Sequence, residues 1–151
     1  MDEVRRFYDE LSGQYDLIYE DWWRSVEHQG RILEQIVEER LGPGPKRVLD
    51  CTAGIGTQAL GLGLCGHEVL GTDLSGAAVA RARTEAASRG LNVEFTTGDV
   101  RSIDELPGGP FDVVLSADNA LPHLVEAADL DAAVRGMMAQ PILMVTRTCA
   151  V

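Results

Sequence analysis

The sequence predicts an α/β fold, with one doubly wound, mostly parallel sheet that carries helices on both faces. From Lys46 onward, short apolar runs alternate with longer alanine- and leucine-rich segments, a pattern typical of strands that alternate with helices. The chain has 151 residues, 45% of them hydrophobic and 25% charged, which suffices for the buried core of one domain. We find no internal repeat, linker or low-complexity tract, so residues 1–151 are expected to form a single domain.

The first forty residues are expected to form a helical cap outside the alternating pattern. Within residues 25–42, apolar side chains recur near one face at helical spacing. They are Val26, Leu33, Ile36, Val37 and Leu41. Gly42 is the type of residue that ends a helix, and a loop with two prolines follows it. We therefore divide the domain into a cap, residues 1–41, and a core, residues 46–151.

The core is expected to contain five strands. "KRVLD" is a buried strand, and residues 57–64 form the helix after it. "HEVLGTD" is the second strand, and Ser75 is a suitable cap for a long helix that Gly90 ends. "NVEFTTGD" is the third strand, with Val93 and Phe95 facing inward. "FDVVLSAD" follows the turn "LPGGP" as the fourth strand, and a helix around "DLDAAVRGMMA" leads to the last apolar run, "ILMVTRT".

Charge and cysteine content argue against several classes of function. With 24 acidic and 13 basic residues, the chain has a net charge of −11, so it repels phosphate backbones and nucleic acid is not an expected partner. Cys51, Cys65 and Cys149 are odd in number and widely spaced, which argues against a disulfide framework or a zinc site. No apolar run approaches the roughly 18 residues of a membrane span, and the charged N-terminus lacks a signal-peptide core. We therefore expect a cytoplasmic protein that acts on a small molecule and not on a membrane.

The stretch "VLDCTAGIGTQAL" joins the first strand to the next helix through a glycine turn. Gly54 and Gly56 lack a Cβ atom, so the backbone can turn sharply and a ligand can approach its amides. The same features also occur in an ordinary connection between a strand and a helix. A dinucleotide site needs a third glycine at position 59, where this chain has Ala59, and the lysine-containing phosphate loop is absent from the sequence. A nicotinamide-dependent dehydrogenase is therefore a weaker alternative.

Three aspartates follow three successive strands and favour a cofactor without phosphates. Asp50 precedes the glycine turn, Asp73 ends the second strand, and Asp99 follows the third. Each could be a simple cap or turn former, but the carboxyl ends of parallel strands share one edge of the sheet, so all three are expected around one crevice. Asp73 can accept from ribose hydroxyls and Asp99 from the amino group of an adenine, while Asp50 would face an ammonium or a sulfonium. The set predicts S-adenosylmethionine as the cofactor.

Several motifs together resemble the class I S-adenosylmethionine-dependent methyltransferases. "VLDCTAGIGTQALGLGLCGHEVLGTDLS" resembles the first two strands of that family and their connection, and "FTTGDVRSI" and "FDVVLSADNALPHL" resemble its third and fourth strand ends. "FYDELSGQYDLIYEDWWRSVEHQ" is similar to the entry segment of the glycine and sarcosine N-methyltransferase group. The resemblance implies a Rossmann-like sheet of order 3-2-1-4-5 in a cofactor-binding core, and S-adenosyl-L-homocysteine as the product.

The resemblance also implies roles for the residues around the expected crevice. Gly54 and Gly56 would line the methionine part of the cofactor, Asp73 would bind the ribose, and Asp99 with Val100 would bind the adenine. The remaining expected cofactor contacts are Asp50, Ala53, Leu74 and Ala117.

Two histidines are expected at the charged ends of the reactants. His28 aligns with the basic residue that pairs with the methionine carboxylate in the family, with Arg24 and Arg31 nearby; a neutral imidazole could not make the bidentate pair of an arginine. The alternative for His28 is an ordinary surface residue. His123 would lie near the sulfonium, close to Asp118 and Asn119, and could accept a proton from an attacking amine directly or through water. The alternative for His123 is a structural hydrogen bond within its loop.

The N-terminal aromatic residues allow two interpretations. They are Tyr8, Tyr15, Tyr19, Trp22 and Trp23. They could form a lid that excludes water and stacks on a cationic group, or they could dock the cap helix on the core. We prefer docking, and the two are compatible.

The family fold normally has seven strands, and this sequence reaches only the fifth. We therefore expect a shortened chain whose open sheet edge is covered by a second copy, as a homodimer. The leading function is an N-methyltransferase that acts on a small amine or amino acid. The alternative is a module that binds S-adenosylmethionine or S-adenosylhomocysteine without turnover.

Overall fold

The computed structural model describes residues 2–14, 17, 20–117, 121–139 and 143–146, with the backbone alone at residues 2, 4, 8, 122 and 143–146. Tyr15, Tyr19, Asp118, Asn119 and Cys149, and the side chain of Tyr8, lie outside what is described. Within the described ranges, no helix combines the length and the apolar character that a membrane crossing requires.

Helices and strands alternate along the core as the sequence predicts. The helices are α1 (Asp2–Leu11), α2 (Trp22–Leu41), α3 (Thr57–Leu64), α4 (Gly76–Ser88) and α5 (Ala127–Ala139). The strands are β1 (Arg47–Asp50), β2 (Glu68–Asp73), β3 (Val93–Thr97), β4 (Val113–Ser116) and β5 (Leu143–Thr146). Two 3₁₀ elements that the sequence did not predict are the 3₁₀ segment Val100–Glu105 and the turn Leu121–His123.

Capping side chains set the beginnings of two helices. Helix α2 begins at Trp22 and not at Ser25, because the Asp21 carboxylate accepts a hydrogen bond from the Arg24 amide at 3.0 Å. Ser75 caps α4 as predicted, accepting from the Ala78 amide at 3.1 Å.

The five strands form one parallel sheet in the order β3-β2-β1-β4-β5. In the middle of the sheet, Leu49 of β1 lies opposite Leu70 of β2 and Val114 of β4. This architecture and strand order confirm the predicted fold. Because the strands are parallel, their carboxyl ends all lie along one edge of the sheet. Asp50, Asp73 and Asp99 lie at this edge, at or just after the ends of β1, β2 and β3.

Helices cover both faces of the sheet, and successive strand residues face opposite sides. Val48 packs in a cluster with residues of α2, α3 and α4, whereas Leu49 packs with Ile103 of the 3₁₀ segment and Met137 of α5. All four side chains are at most 1% exposed. Burial on both faces explains why the strands read as continuous apolar runs.

Helices α2 and α3 touch through their backbones. A Cβ atom on Gly61 would lie 2.6 Å from the Val26 carbonyl oxygen and 2.8 Å from Gly30 Cα. Next to this contact, the buried Trp22 donates from Nε1 to Thr57 Oγ1 at 2.9 Å. Trp23 is partly buried against the same core. The two tryptophans therefore dock α2 on the core, which supports the preferred interpretation for this part of the aromatic run.

Candidate functional site

Hydrogen bonds join the carboxyl ends of the central strands into one continuous edge. Thr52, just after β1, accepts at Oγ1 from the Ala117 amide beyond β4 at 3.2 Å. On the other side, the Ala53 amide donates to the Thr72 carbonyl of β2 at 2.9 Å. The turn after β1 is therefore fixed to both neighbouring strands. Ala53 and Ala117 are buried in this arrangement.

Asp73 holds the glycine turn in place. Its Oδ2 accepts from the Gly54 amide at 2.8 Å, and its Oδ1 accepts from the Ser75 amide at 2.9 Å. Its main-chain oxygen accepts from the Gly98 amide at 3.0 Å, which joins β2 to the end of β3. Burial raises the pKa of Asp73 above the ordinary 3.8, although the two amide bonds to its carboxylate oppose that shift. One carboxylate thus links the turn, α4 and the middle of the candidate site.

The two glycines of the turn have different roles. Gly54 has a φ of +54°, and apart from Gly54 and its two chain neighbours no heavy atom of the described residues lies within 4 Å of the position where a Cβ would stand, so this part of the turn faces open space. Gly56 has a φ of +94°, and its Cβ would lie 2.9 Å from Phe95 Cζ and 3.2 Å from Leu60 Cγ. Gly54 therefore leaves room for a ligand, whereas Gly56 is required by the core.

Asp50 lies beneath the turn and not on its surface. Its side chain is fully buried, and its Oδ1 accepts from the Thr52 amide at 3.3 Å. Burial raises the pKa of the neighbouring Cys51 thiol, and the charge of Asp50 adds to that shift. Cys51 Sγ donates to the Leu115 carbonyl at 3.1 Å. Cys51 is therefore a protonated core thiol at neutral pH, in agreement with its predicted structural role.

Asp99 follows β3, as predicted, and is paired with Arg101. Arg101 Nε lies 3.0 Å from both carboxylate oxygens, Nη2 lies 2.5 Å from Oδ2, and the Arg101 amide donates to Oδ1 at 2.9 Å. Arg101 Nη1 also donates to Asp129 Oδ2 on α5 at 3.1 Å. The guanidinium therefore bridges the end of β3 and the first turn of α5. Its hydrogen bonds hold the pKa of Asp99 below the ordinary 3.8.

The Asp99–Arg101 pair makes a testable prediction. In a carbon-13 NMR titration, the Asp99 carboxyl group should titrate below pH 3.8 in the native protein and move upward in Arg101→Ala, where only desolvation and backbone contacts remain. Since the folded-state pKa is depressed, the pair stabilises the fold above the unfolded-state pKa, and this contribution is lost as the pH falls through the folded-state value. An unchanged Asp99 pKa in the variant would contradict the pairing.

The structure places His28 within α2, on the outer side of the helix. His28 is exposed, and at about 100° per residue it lies on the face of α2 opposite the buried Val26, Leu33 and Val37. The next residue, Gln29, reaches the first turn of α3, where its Oε1 accepts from Gln58 Nε2 at 2.8 Å.

The remaining predicted contacts follow the strand ends. Leu74 and Val100 are half-buried, and Val100 packs against the buried cluster that contains Ile103 and Met137. His123 lies exposed at the end of the 3₁₀ turn after β4. Sequence reasoning missed Thr52 and the contact of Arg101 with Asp99, although an arginine two residues after a strand-end aspartate was a visible signal for the latter.

Comparison with known proteins identifies the family. The profile described as "Methyltransferase domain" matches residues 48–140, a range that runs from β1 through α5 and contains the glycine turn, Asp73 and Asp99. The chain belongs to this methyltransferase family. S-adenosylmethionine is the cofactor of these class I enzymes, whose sheet topology this chain shares.

Three relatives define the range of similarity. The demethylmenaquinone methyltransferase of Thermus thermophilus is 35% identical over 112 residues, which cover 73% of this chain and 50% of that protein. The glycine/sarcosine N-methyltransferase of Parasynechococcus marenigrum is 26% identical over 125 residues, covering 83% and 43% of the two chains. The S-adenosylmethionine-bound amino pentose methyltransferase of Micromonospora echinaspora superposes with a TM-score of 0.72 at 22% identity, covering 91% of this chain and 55% of that one. This methyltransferase chain spans about half the length of the relatives it matches.

Proposed function

We propose that this methyltransferase chain binds S-adenosylmethionine at the carboxyl edge of its sheet and transfers the methyl group to the nitrogen of a small amine or amino acid in the cytoplasm. One observation carries the proposal: the Asp73 carboxylate fixes the Gly54 amide by a hydrogen bond, and the space next to Gly54 is open. A ligand can approach the turn there without displacing a side chain, next to a carboxylate that still has acceptor capacity.

The donors and acceptors at this edge fit the cofactor. Ribose hydroxyls and the adenine amino group are hydrogen-bond donors, and Asp73 and Asp99 offer acceptors at the ends of adjacent strands. The negative charges of these residues, with Asp50 beneath the turn, suit a positive sulfonium better than the phosphates of a dinucleotide. Gly54 and Gly56 would adjoin the methionine part, with Ala53, Leu74, Val100 and Ala117 as apolar neighbours.

The chain's own residues would mainly hold the reactants in line. The cofactor supplies a methyl group on a sulfonium, whose departure leaves a neutral thioether, so the leaving group requires no acid. Holding the acceptor nitrogen in line with the methyl would supply most of the rate enhancement. His123 would take the proton from the acceptor nitrogen, directly or through water.

Nitrogen is the acceptor atom that the combined observations favour. The net charge of −11 attracts ammonium substrates, and two of the relatives act, by their names, on glycine or sarcosine and on an amino pentose. The demethylmenaquinone methyltransferase provides the competing acceptor class.

Calorimetry followed by a turnover assay tests the proposal. We expect micromolar binding of S-adenosylmethionine, and formation of S-adenosylhomocysteine with glycine, sarcosine or an amino sugar but not with a demethylated quinol. If only the quinol is methylated, the acceptor is a quinol and the proposal of a nitrogen acceptor is wrong. Binding without turnover on any acceptor would identify a binding module, and absence of binding would overturn the proposal.

His123 and His28 form a matched pair for the mechanism. His123→Ala should lower kcat with an amine acceptor by about 100-fold, because the loss of a general base has that order of effect, and should leave cofactor affinity unchanged. His28→Ala should change neither quantity, since His28 lies on the outer face of α2. Equal kcat values for His123→Ala and the native chain would remove His123 from the mechanism.

We also propose that a second copy covers the outer edge of β5, giving a homodimer. In the described part of the chain, β5 pairs with β4 alone, so its other edge offers backbone groups for pairing. Sedimentation at micromolar concentration should give a dimer; a monomer would exclude this assembly.

A further inference from the structure

Arg101 connects the candidate adenine end of the site to α5. Its guanidinium contacts Asp99 through Nε and Nη2 and Asp129 through Nη1. All three side chains are partly shielded from solvent: Arg101 is 30% exposed, Asp99 25% and Asp129 34%. Arginine is the side chain best suited to such a bridge, because its planar fork can serve two carboxylates at once.

The bridge occupies most of the acceptor capacity of Asp99. An ionised carboxylate has about four acceptor positions, and the Arg101 amide, Nε and Nη2 fill about three of them. These contacts fix the plane of the carboxylate and leave about one acceptor direction for a further donor. They also favour the ionised form, since Arg101 lowers the pKa of Asp99.

Asp129 restrains the other side of Arg101. It lies in the first turn of α5, where a negative charge interacts favourably with the helix dipole. The 3₁₀ segment also packs closely on α5, since a Cβ on Gly136 would lie 3.3 Å from Ile103 Cβ. Rotation of Arg101 away from Asp99 would therefore break its ion pair with Asp129 as well.

We propose that Arg101, held by Asp129, is a positioning residue that orients the Asp99 carboxylate toward the exocyclic amino group of the adenine and so makes the site select a 6-amino over a 6-oxo purine. This inference rests on the proposed function. The selectivity arises because a fixed, ionised carboxylate accepts a hydrogen bond from a 6-amino group. A 6-oxo group would instead place its oxygen against the carboxylate oxygen, and the lone pairs of these two acceptors repel each other.

The test compares two ligands that differ at this one position. Dissociation constants of S-adenosyl-L-homocysteine and S-inosyl-L-homocysteine are measured by calorimetry, together with Tm, for the native chain, Arg101→Ala, Arg101→Lys and Asp129→Asn. The native chain should prefer the adenosyl ligand by roughly 100-fold, the order expected for one charged hydrogen bond made and one mismatch avoided. Arg101→Ala should reduce this ratio to roughly 10-fold or less, with intermediate ratios for the other two variants.

A second arginine–aspartate pair provides the control. Arg135 pairs with Asp131 on the exposed surface of α5, and neither residue contacts Asp99. Arg135→Ala should leave the ligand ratio unchanged.

Three outcomes would overturn the inference. If Arg101→Ala weakens both ligands equally, or lowers Tm with an unchanged ratio, Arg101 only ties the 3₁₀ segment to α5. If Arg101→Ala tightens adenosyl binding, Arg101 competes with the ligand for Asp99. If the native chain binds neither ligand, the proposed function itself fails, and this outcome is separate from the first two because they require native binding.

Discussion

Replacing Asp73 with alanine is expected to weaken S-adenosylmethionine binding by at least about 100-fold, since two hydrogen bonds to a charged group contribute roughly 3 kcal/mol or more. The variant loses the acceptors for the ribose hydroxyls. It also leaves the Gly54 and Ser75 amides without the carboxylate that anchors them. Titration calorimetry of the variant beside the native chain measures the effect.

Asp112 provides a matched control at the opposite edge of the sheet. Its Oδ2 accepts from the Arg47 amide at 2.8 Å, so it too is an aspartate bonded to a backbone amide next to β1. Asp112→Ala should lower Tm and leave cofactor affinity within about twofold, as expected for a site distant from the ligand. If Asp73→Ala bound S-adenosylmethionine as tightly as Asp112→Ala, Asp73 would not be part of the site.

The ionised carboxylate of Asp73 lowers the stability of the fold, because the side chain is largely buried. Because burial raises its folded-state pKa, its contribution to stability is greatest below the unfolded-state value and falls as the pH rises through the folded-state value. The ionised carboxylate at neutral pH therefore costs stability. A carboxylate retained under such conditions is typical of a functional site.

Local patterns in the sequence were sufficient to predict the sheet and most of its helices. The apolar runs around Val48 and Val113 mark strands buried on both faces, and α3 begins at Thr57 and ends at Leu64 as expected. The strand-end aspartates followed from the same pattern, because parallel strands place their carboxyl ends at one edge. These features depend on periodicity and chain order, which a sequence contains directly.

Contacts between elements were less accessible from the sequence. The bridge from Arg101 to Asp129 joins residues 28 positions apart, and its geometry depends on how α5 packs on the 3₁₀ segment. The position of His28, in contrast, follows from local periodicity. The apolar spacing that predicted α2 also places residue 28 opposite the buried face, where the structure has it.

Gly61→Ala is expected to destabilise the fold by about 3 kcal/mol, the upper end for overpacking a rigid contact, and to lower Tm by roughly 10 °C at this chain length. Helix propensity alone would favour alanine by about 1 kcal/mol. The opposite sign is expected because the new methyl group would lie 2.6 Å from the Val26 carbonyl oxygen and 2.8 Å from Gly30 Cα, and backbone atoms cannot move aside as a flexible side chain can. Thermal unfolding followed by circular dichroism measures the shift.

Gly76→Ala separates the effect of packing from that of helix propensity. Gly76 is also helical, but the nearest atom to its added Cβ is Thr97 Cγ2 at 3.8 Å, an ordinary contact. This control should therefore be neutral or slightly stabilising, and similar Tm values for the two variants would refute the close contact between α2 and α3.

Separation of these helices should also weaken cofactor binding, because the Trp22–Thr57 hydrogen bond connects α2 to the first residue of α3, directly after the glycine turn. The glycine contact between two helices thus supports the geometry of the turn, even though neither glycine lies at the strand-end edge.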